Sequence, residues 1–218
     1  TSASDLRALR QLASPAQLVA RIRDVVFVLD EIGRRHSGAR PGWADIRPTH
    51  IGMSGHSFGA LTTMAMAGQR FPGVEPINET RLSAFMPFSA SLPTAGDAAR
   101  AYAAIHRPLL TITGTRDDDV IGTGATPERR IAVFAALPPG DKAQLVLQDA
   151  DHMTFSGQTE RGFALRPRAQ ITRTLQAAHQ ATAAAISTDW WRAWLMNDAG
   201  ARVRLLTPSG LRDGDLWQ

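Results

Sequence analysis

The chain of 218 residues contains no cysteine. Disulfides and thiolate metal sites are therefore excluded, and so is a thiol nucleophile. The compartment stays open, because a cysteine-free chain survives in reducing and oxidising surroundings alike. Lysine is nearly missing as well: Lys142 is the only one, and the rest of the basic side is arginine. No stretch approaches the apolar length needed to cross a membrane. No cluster of His, Asp and Glu has metal-ligand spacing, and no cofactor is called for. A basic stripe interleaved with aromatics, the footprint of a nucleic-acid binder, is also missing. The arginines are scattered instead (Arg21, Arg23, Arg34, Arg35, Arg129, Arg130, Arg161, Arg166) and mostly lie beside acids. They read as solvent-exposed ion pairs on helix faces.

What remains is ordinary globular material, 44% hydrophobic and 20% charged with a net charge of +4. The length suits one domain spanning 1–218. The most informative stretch is Gly55-His56-Ser57-Phe58-Gly59, a G-x-S-x-G pattern. Thr49–Met53 upstream reads as the end of a short strand, and Ala60–Ala67 downstream reads as a helix. That is the strand–turn–helix context of a nucleophile elbow. Glycine at both flanks is expected to remove side chains that would collide in so tight a turn. The serine hydroxyl would then stand at a helix N-terminus, where developing negative charge is favoured. The Phe58 N–H would serve as an oxyanion donor.

A serine hydroxyl needs a base, and the base an orienting carboxylate. In an elbow-bearing α/β fold the order is Ser, then Asp or Glu, then His. Pro108–Gly114 is an apolar, β-branched run that opens into Asp117-Asp118-Asp119. Asp118 is the expected acid, because Val120 and Ile121 follow and would pin the loop; Asp117 is the alternative. Ala143–Leu147 is a further strand, and His152 lies just beyond it. Of six histidines only His152 has the right order and the right element end. His56 flanks the nucleophile and is expected to pack against or orient the elbow. His36, His50, His106 and His179 read as structural or solvated.

Around these segments the chain alternates helix and strand. Ser14-Pro15-Ala16-Gln17 opens a helix running to about Arg35. Further elements are a strand at Leu82–Phe88, a helix from Thr126 to Leu137, and helices at Ile171–Ser187 and Trp190–Leu195. Four strands alternating with helices imply a mostly parallel sheet flanked by helices. Only one helix precedes the nucleophile strand, so strands found ahead of the elbow in the full α/β-hydrolase fold are expected to be missing.

Gly52–Ala60, Gly114–Asp118 and Ala150–Phe155, taken together and in order, resemble the bacterial predicted dienelactone hydrolase group. That group is similar to platelet-activating-factor acetylhydrolases and, more distantly, to cutinases and polyester hydrolases with a Gly-His-Ser-x-Gly elbow. The resemblance runs from the Ser14 helix to Trp190-Trp191. It implies an α/β-hydrolase fold, a Ser57–Asp118–His152 triad and hydrolysis of carboxylic esters. True dienelactone hydrolases use a cysteine nucleophile, which this chain lacks, so the lactone is not implied as substrate. The family's other oxyanion residue lies in an N-terminal portion without a match here.

The expected partner is a small-molecule ester with a small acyl or short lipid chain. Met53, Phe58, Met86, Phe88, Met153 and Phe155 fall near strand C-terminal ends, where ligands bind open α/β sheets. Of these, Phe58, Met53, Met86 and Met153 are the expected substrate contacts. Two alternatives share the same residues: a non-catalytic protein on a hydrolase fold, and an acyltransferase using the same triad.

Overall fold

The first helix shows how local sequence sets an element. In the computed structural model, which describes residues 11, 13–38, 41–157 and 168–218, it is α1 (Pro15–Ser37). Ser14 Oγ accepts the N–H of Gln17 at 3.3 Å, and Pro15 fills the first turn, where a missing N–H costs nothing. Leu18, Ile22 and Leu29 form its buried face. The helix runs two residues past Arg35 because Gly38 supplies an N–H to the Arg34 carbonyl.

Five strands make one sheet in the order β1 (Ile51–His56), β2 (Leu82–Phe88), β3 (Leu109–Arg116), β4 (Lys142–Asp151), β5 (Leu216–Trp217). The first four are parallel, and β5 pairs with β4 antiparallel. Between them lie α2 (Phe58–Ala67), α3 (Ala98–Tyr102), α4 (Pro127–Ile131) and α5 (Val133–Ala136), with α6 (Gln170–Leu195) and α7 (Ala199–Leu206) after β4. The architecture is a mixed α/β domain with a mostly parallel sheet flanked by helices, as the alternation implied.

Each parallel crossover advances one place in the same direction. Right-handed crossovers then put all the intervening helices on one face. The core divides accordingly. On that face Leu18, Ile22 and Leu29 of α1 and Met64 of α2 pack with Leu82, Phe85 and Leu109. On the other, α6 lays Ala183, Ile186 and Trp190 over Met86, Leu110, Ile112, Leu145 and Leu147. Strands buried on both faces read as apolar runs, as in Leu82–Phe88.

Several elements depart from expectation. The two C-terminal helices are one: Thr188 and Asp189 contain no breaker, and Thr188 Oγ1 donates to the Ala184 carbonyl within the helix. The Thr126 helix is two short pieces meeting at Ala132. The short α3, α7 and β5 were not expected; β5 has two residues, too few for any periodicity. Among the described residues no strand pairs with the outer edge of β1, and Ser54 on that strand is exposed. Arg161 and Arg166 lie outside the described residues.

Candidate active site

β1 ends at His56 and α2 begins at Phe58, so Ser57 alone makes the turn. Its backbone sits at φ 59, ψ −118, a conformation that non-glycine residues rarely hold. Neighbours enforce it. The Ser57 N–H donates to the Phe88 carbonyl at 3.1 Å, tying the turn to the end of β2. A Cβ on Gly55 would overlap the Gly59 carbonyl and crowd Thr63 Oγ1. The expectation for Gly59 is corrected: a Cβ there meets nothing within 4 Å, because that side faces the open flank of β1. Phe58 opens α2, so its N–H belongs to the first-turn donors that have no acceptor inside a helix.

The histidine arrives through a distortion of β4. Gly114 pairs with Leu147, but Arg116 pairs with Asp151, so β4 carries two more residues than β3 over the same span. Asp149 takes a positive φ of 63, and its N–H donates to Thr115 Oγ1. Such a bulge bends the strand and re-aims the residues that follow. Gly114 is required beside it, since any Cβ would collide with Ala150. Beyond the bulge, His152 opens a 3₁₀ turn, His152–Ser156, capped by Asp151. Buried Arg168 grips both Asp151 oxygens at 2.8 Å and donates to Thr154 and Gln176. The turn holding His152 is thus fixed from two sides.

His152 Nε2 lies 2.9 Å from Ser57 Oγ, and Nδ1 lies 2.7 Å from Asp117 Oδ1. A carboxylate only accepts, so Nδ1 carries the hydrogen and Nε2 is the bare nitrogen that accepts from the serine hydroxyl. His152 is 4% exposed and Asp117 0%. The structure therefore brings Ser57 and His152 together and places Asp117, not Asp118, at the imidazole. The reason is the turn after β3. The N–H groups of Asp117 and Asp118 donate to the Gly114 and Arg116 carbonyls, which drives Asp117 inward and leaves Asp118 exposed. Asp119 holds this loop by accepting N–H bonds from Ile121, Gly122 and Gly124.

Asp117 has further partners. Thr113 Oγ1 donates to Oδ2 at 2.8 Å, and Arg130 Nε lies 3.1 Å from Oδ1 and 2.8 Å from the Asp117 carbonyl. Burial alone would raise this carboxyl above the aspartate range. The His152 hydrogen bond and the Arg130 charge outweigh it and hold the pKa low. The reading of Arg130 as an exposed ion pair is corrected: it is 5% exposed. The signal was available in its spacing, because Pro127, Arg130 and Val133 recur every three residues on the inner face. Thr113 and Arg168 had no such signal.

His56 packs against His152 with ring centroids 4.5 Å apart and the ring planes tilted by 41°. Burial, then the nearby His152, push its pKa down to about 4, so it is neutral near pH 7. Its Nε2 is buried without a partner among the described residues.

The expected substrate contacts separate. Met53 lines an open cleft of about 480 Å³ between α1, β1 and α2, together with Arg21, Asp24, Ser54, Gly59 and Thr62. Phe58 is half-buried, with the Arg21 guanidinium 4.9 Å above its ring. Met86 is corrected to a core residue: it is 1% exposed and packed under α6. Met153 is also buried. Phe88 and Phe155, partly exposed with rings 5.8 Å apart, present apolar surface near His56 instead.

No family model matches the chain, and no curated protein matches it. Among solved structures, similarity extends to the native structure of a novel cold-adapted esterase from an Arctic intertidal metagenomic library. The identity is 15% and the TM-score 0.47, over 70% of this chain and 57% of that one. The chain thus spans little more than half the length of that protein.

Proposed function

We propose that this chain is a serine hydrolase that works by acyl transfer. The observation that carries the reading is the unbroken line Ser57 Oγ–His152 Nε2–Nδ1–Asp117 Oδ1, at 2.9 and 2.7 Å, on a strained turn at a helix N-terminus. Its substrates are carboxylic esters with small acyl groups or short lipid chains. The partly exposed Phe58, Phe88 and Phe155 supply apolar surface for such a group.

In the first step His152 Nε2 takes the hydroxyl proton as Ser57 Oγ attacks the ester carbonyl carbon. Asp117 holds the ring in the required tautomer and stabilises the imidazolium. The Phe58 N–H donates to the developing oxyanion, and the helix dipole of α2 favours the same charge. The imidazolium returns its proton to the departing alkoxide, and alcohol leaves. Water then attacks the acyl-serine as His152 removes its proton, and the acid is released with Ser57 restored.

Ser57→Ala is the direct test. It is expected to lower kcat on a 4-nitrophenyl ester by roughly three to six orders of magnitude, because these residues act as a unit. Retention of wild-type turnover by the variant would refute the reading. So would failure of a fluorophosphonate probe to label Ser57 in the wild-type protein.

A further inference from the structure

The acid of the line is itself held by a buried cation. Arg130 lies on the inner face of α4, and its guanidinium forks between three oxygens. Nε addresses the Asp117 carbonyl and Oδ1, and Nη1 donates to the Ser89 carbonyl at the end of β2. Asp117 Oδ1 is the same oxygen that accepts from His152 Nδ1. One carboxylate oxygen is therefore shared by an imidazole and a guanidinium.

Backbone carbonyls need no charge to be satisfied; a neutral amide would serve. Burying a full positive charge is expensive unless an anion compensates it. Burial does lower the Arg130 pKa, with Asp117, then Asp119 and Asp118, acting against the shift. The feature that needs a charge here is the Asp117 carboxylate. An imidazolium beside a lone buried carboxylate is strongly favoured, whereas one beside a carboxylate already paired with a guanidinium is favoured less. The other charged groups around His152 do not duplicate this effect. His56 on β1 is neutral, Asp151 is paired with Arg168, Asp118 is exposed, and Asp119 is engaged by its own loop.

We propose that Arg130 is a positioning residue of the Ser57–His152–Asp117 line. Its guanidinium fixes Asp117 Oδ1 on the imidazole N–H and offsets part of the carboxylate charge that the imidazole meets. The proposal rests on the acyl-transfer reading for its catalytic meaning, but its physical content is tested without turnover.

The experiment compares Arg130→Gln and Arg130→Lys by NMR titration of the His152 ring in a Ser57→Ala background. The pH profile of kcat/KM on a 4-nitrophenyl ester is measured with Ser57 intact. Gln keeps an N–H for the Ser89 carbonyl but removes the charge. Its ring titration and the acidic limb of its profile are expected to move up by about half to one pH unit. Lys keeps the charge but cannot fork. Its titration is expected to stay within about 0.2 units of the parent while kcat falls about tenfold at little change in KM.

An unmoved or lowered titration in Arg130→Gln overturns the proposal. So does an upward move in Arg130→Lys as large as the one expected for Gln, so either variant alone can refute it. Failure of the hydrolase reading looks different: the wild type would leave esters uncleaved while the ring titrations still report on Arg130.

Discussion

Asp117 is wholly buried and its neighbour Asp118 is exposed, although the two carry the same chemistry. Burial, the Thr113 and His152 hydrogen bonds and the Arg130 contact separate them. Asp117→Asn is expected to cost about three to four orders of magnitude in kcat, because the amide no longer enforces the tautomer with hydrogen on Nδ1. Asp118→Asn is expected to stay within about twofold, as surface changes usually do. Side-by-side turnover of the two variants checks the assignment, and reversed effects would restore Asp118. Three adjacent aspartates look alike in sequence. The choice among them depends on which one the turn after β3 directs inward, and no local pattern encodes that. His152 was legible because it is the one histidine just past a strand in the required order.

At the scale of elements, the elbow and the β4 bulge do the positioning. Gly55 and Gly59 look equivalent in the motif, yet only Gly55 is crowded. Gly55→Ala is expected to lower stability by about 2 kcal/mol or more, since a backbone carbonyl must move. Gly59→Ala, in the first turn of α2 with open space, is expected to be neutral or to stabilise by up to about 1 kcal/mol. Urea unfolding of the two variants distinguishes them, and equal losses would mean that the flank of Gly59 is covered. Four strands and α1 were legible from apolar runs and capping residues, whereas α6 was read as two helices. The bulge was not, because the extra residues of β4 are visible only in its pairing with β3.

For the whole molecule, buried histidines set the response to acid. His56 has its pKa pushed down to about 4, and burial also lowers that of His179, whose Nε2 bonds the Gln148 carbonyl. The unfolded chain, with histidine near 6.5, binds more protons than the folded one in this range. Stability is therefore full above about pH 6.5 and falls as pH drops toward 4, with His56 accounting for about 3 kcal/mol at most. Below that, Asp117 and the other carboxylates with lowered pKa values extend the loss as they protonate. Denaturant unfolding between pH 7 and 4.5 should show this slope, and His56→Phe should flatten it. An unchanged slope in the variant would mean that His56 is not the group responsible.

The sequence by itself determined the alternation of strands and helices, the strand–turn–helix at Ser57 and the place of His152 just past a strand. Each is written in short-range periodicity, in glycine placement or in chain order. Only the tertiary structure decided that Asp117 faces the imidazole, that the Arg130 guanidinium meets that carboxylate, and that Met86 belongs to the core. Those outcomes depend on how two parallel strands slip past each other and on which helix face meets the sheet. Such relations join residues tens of positions apart, and no local run of amino acids carries them.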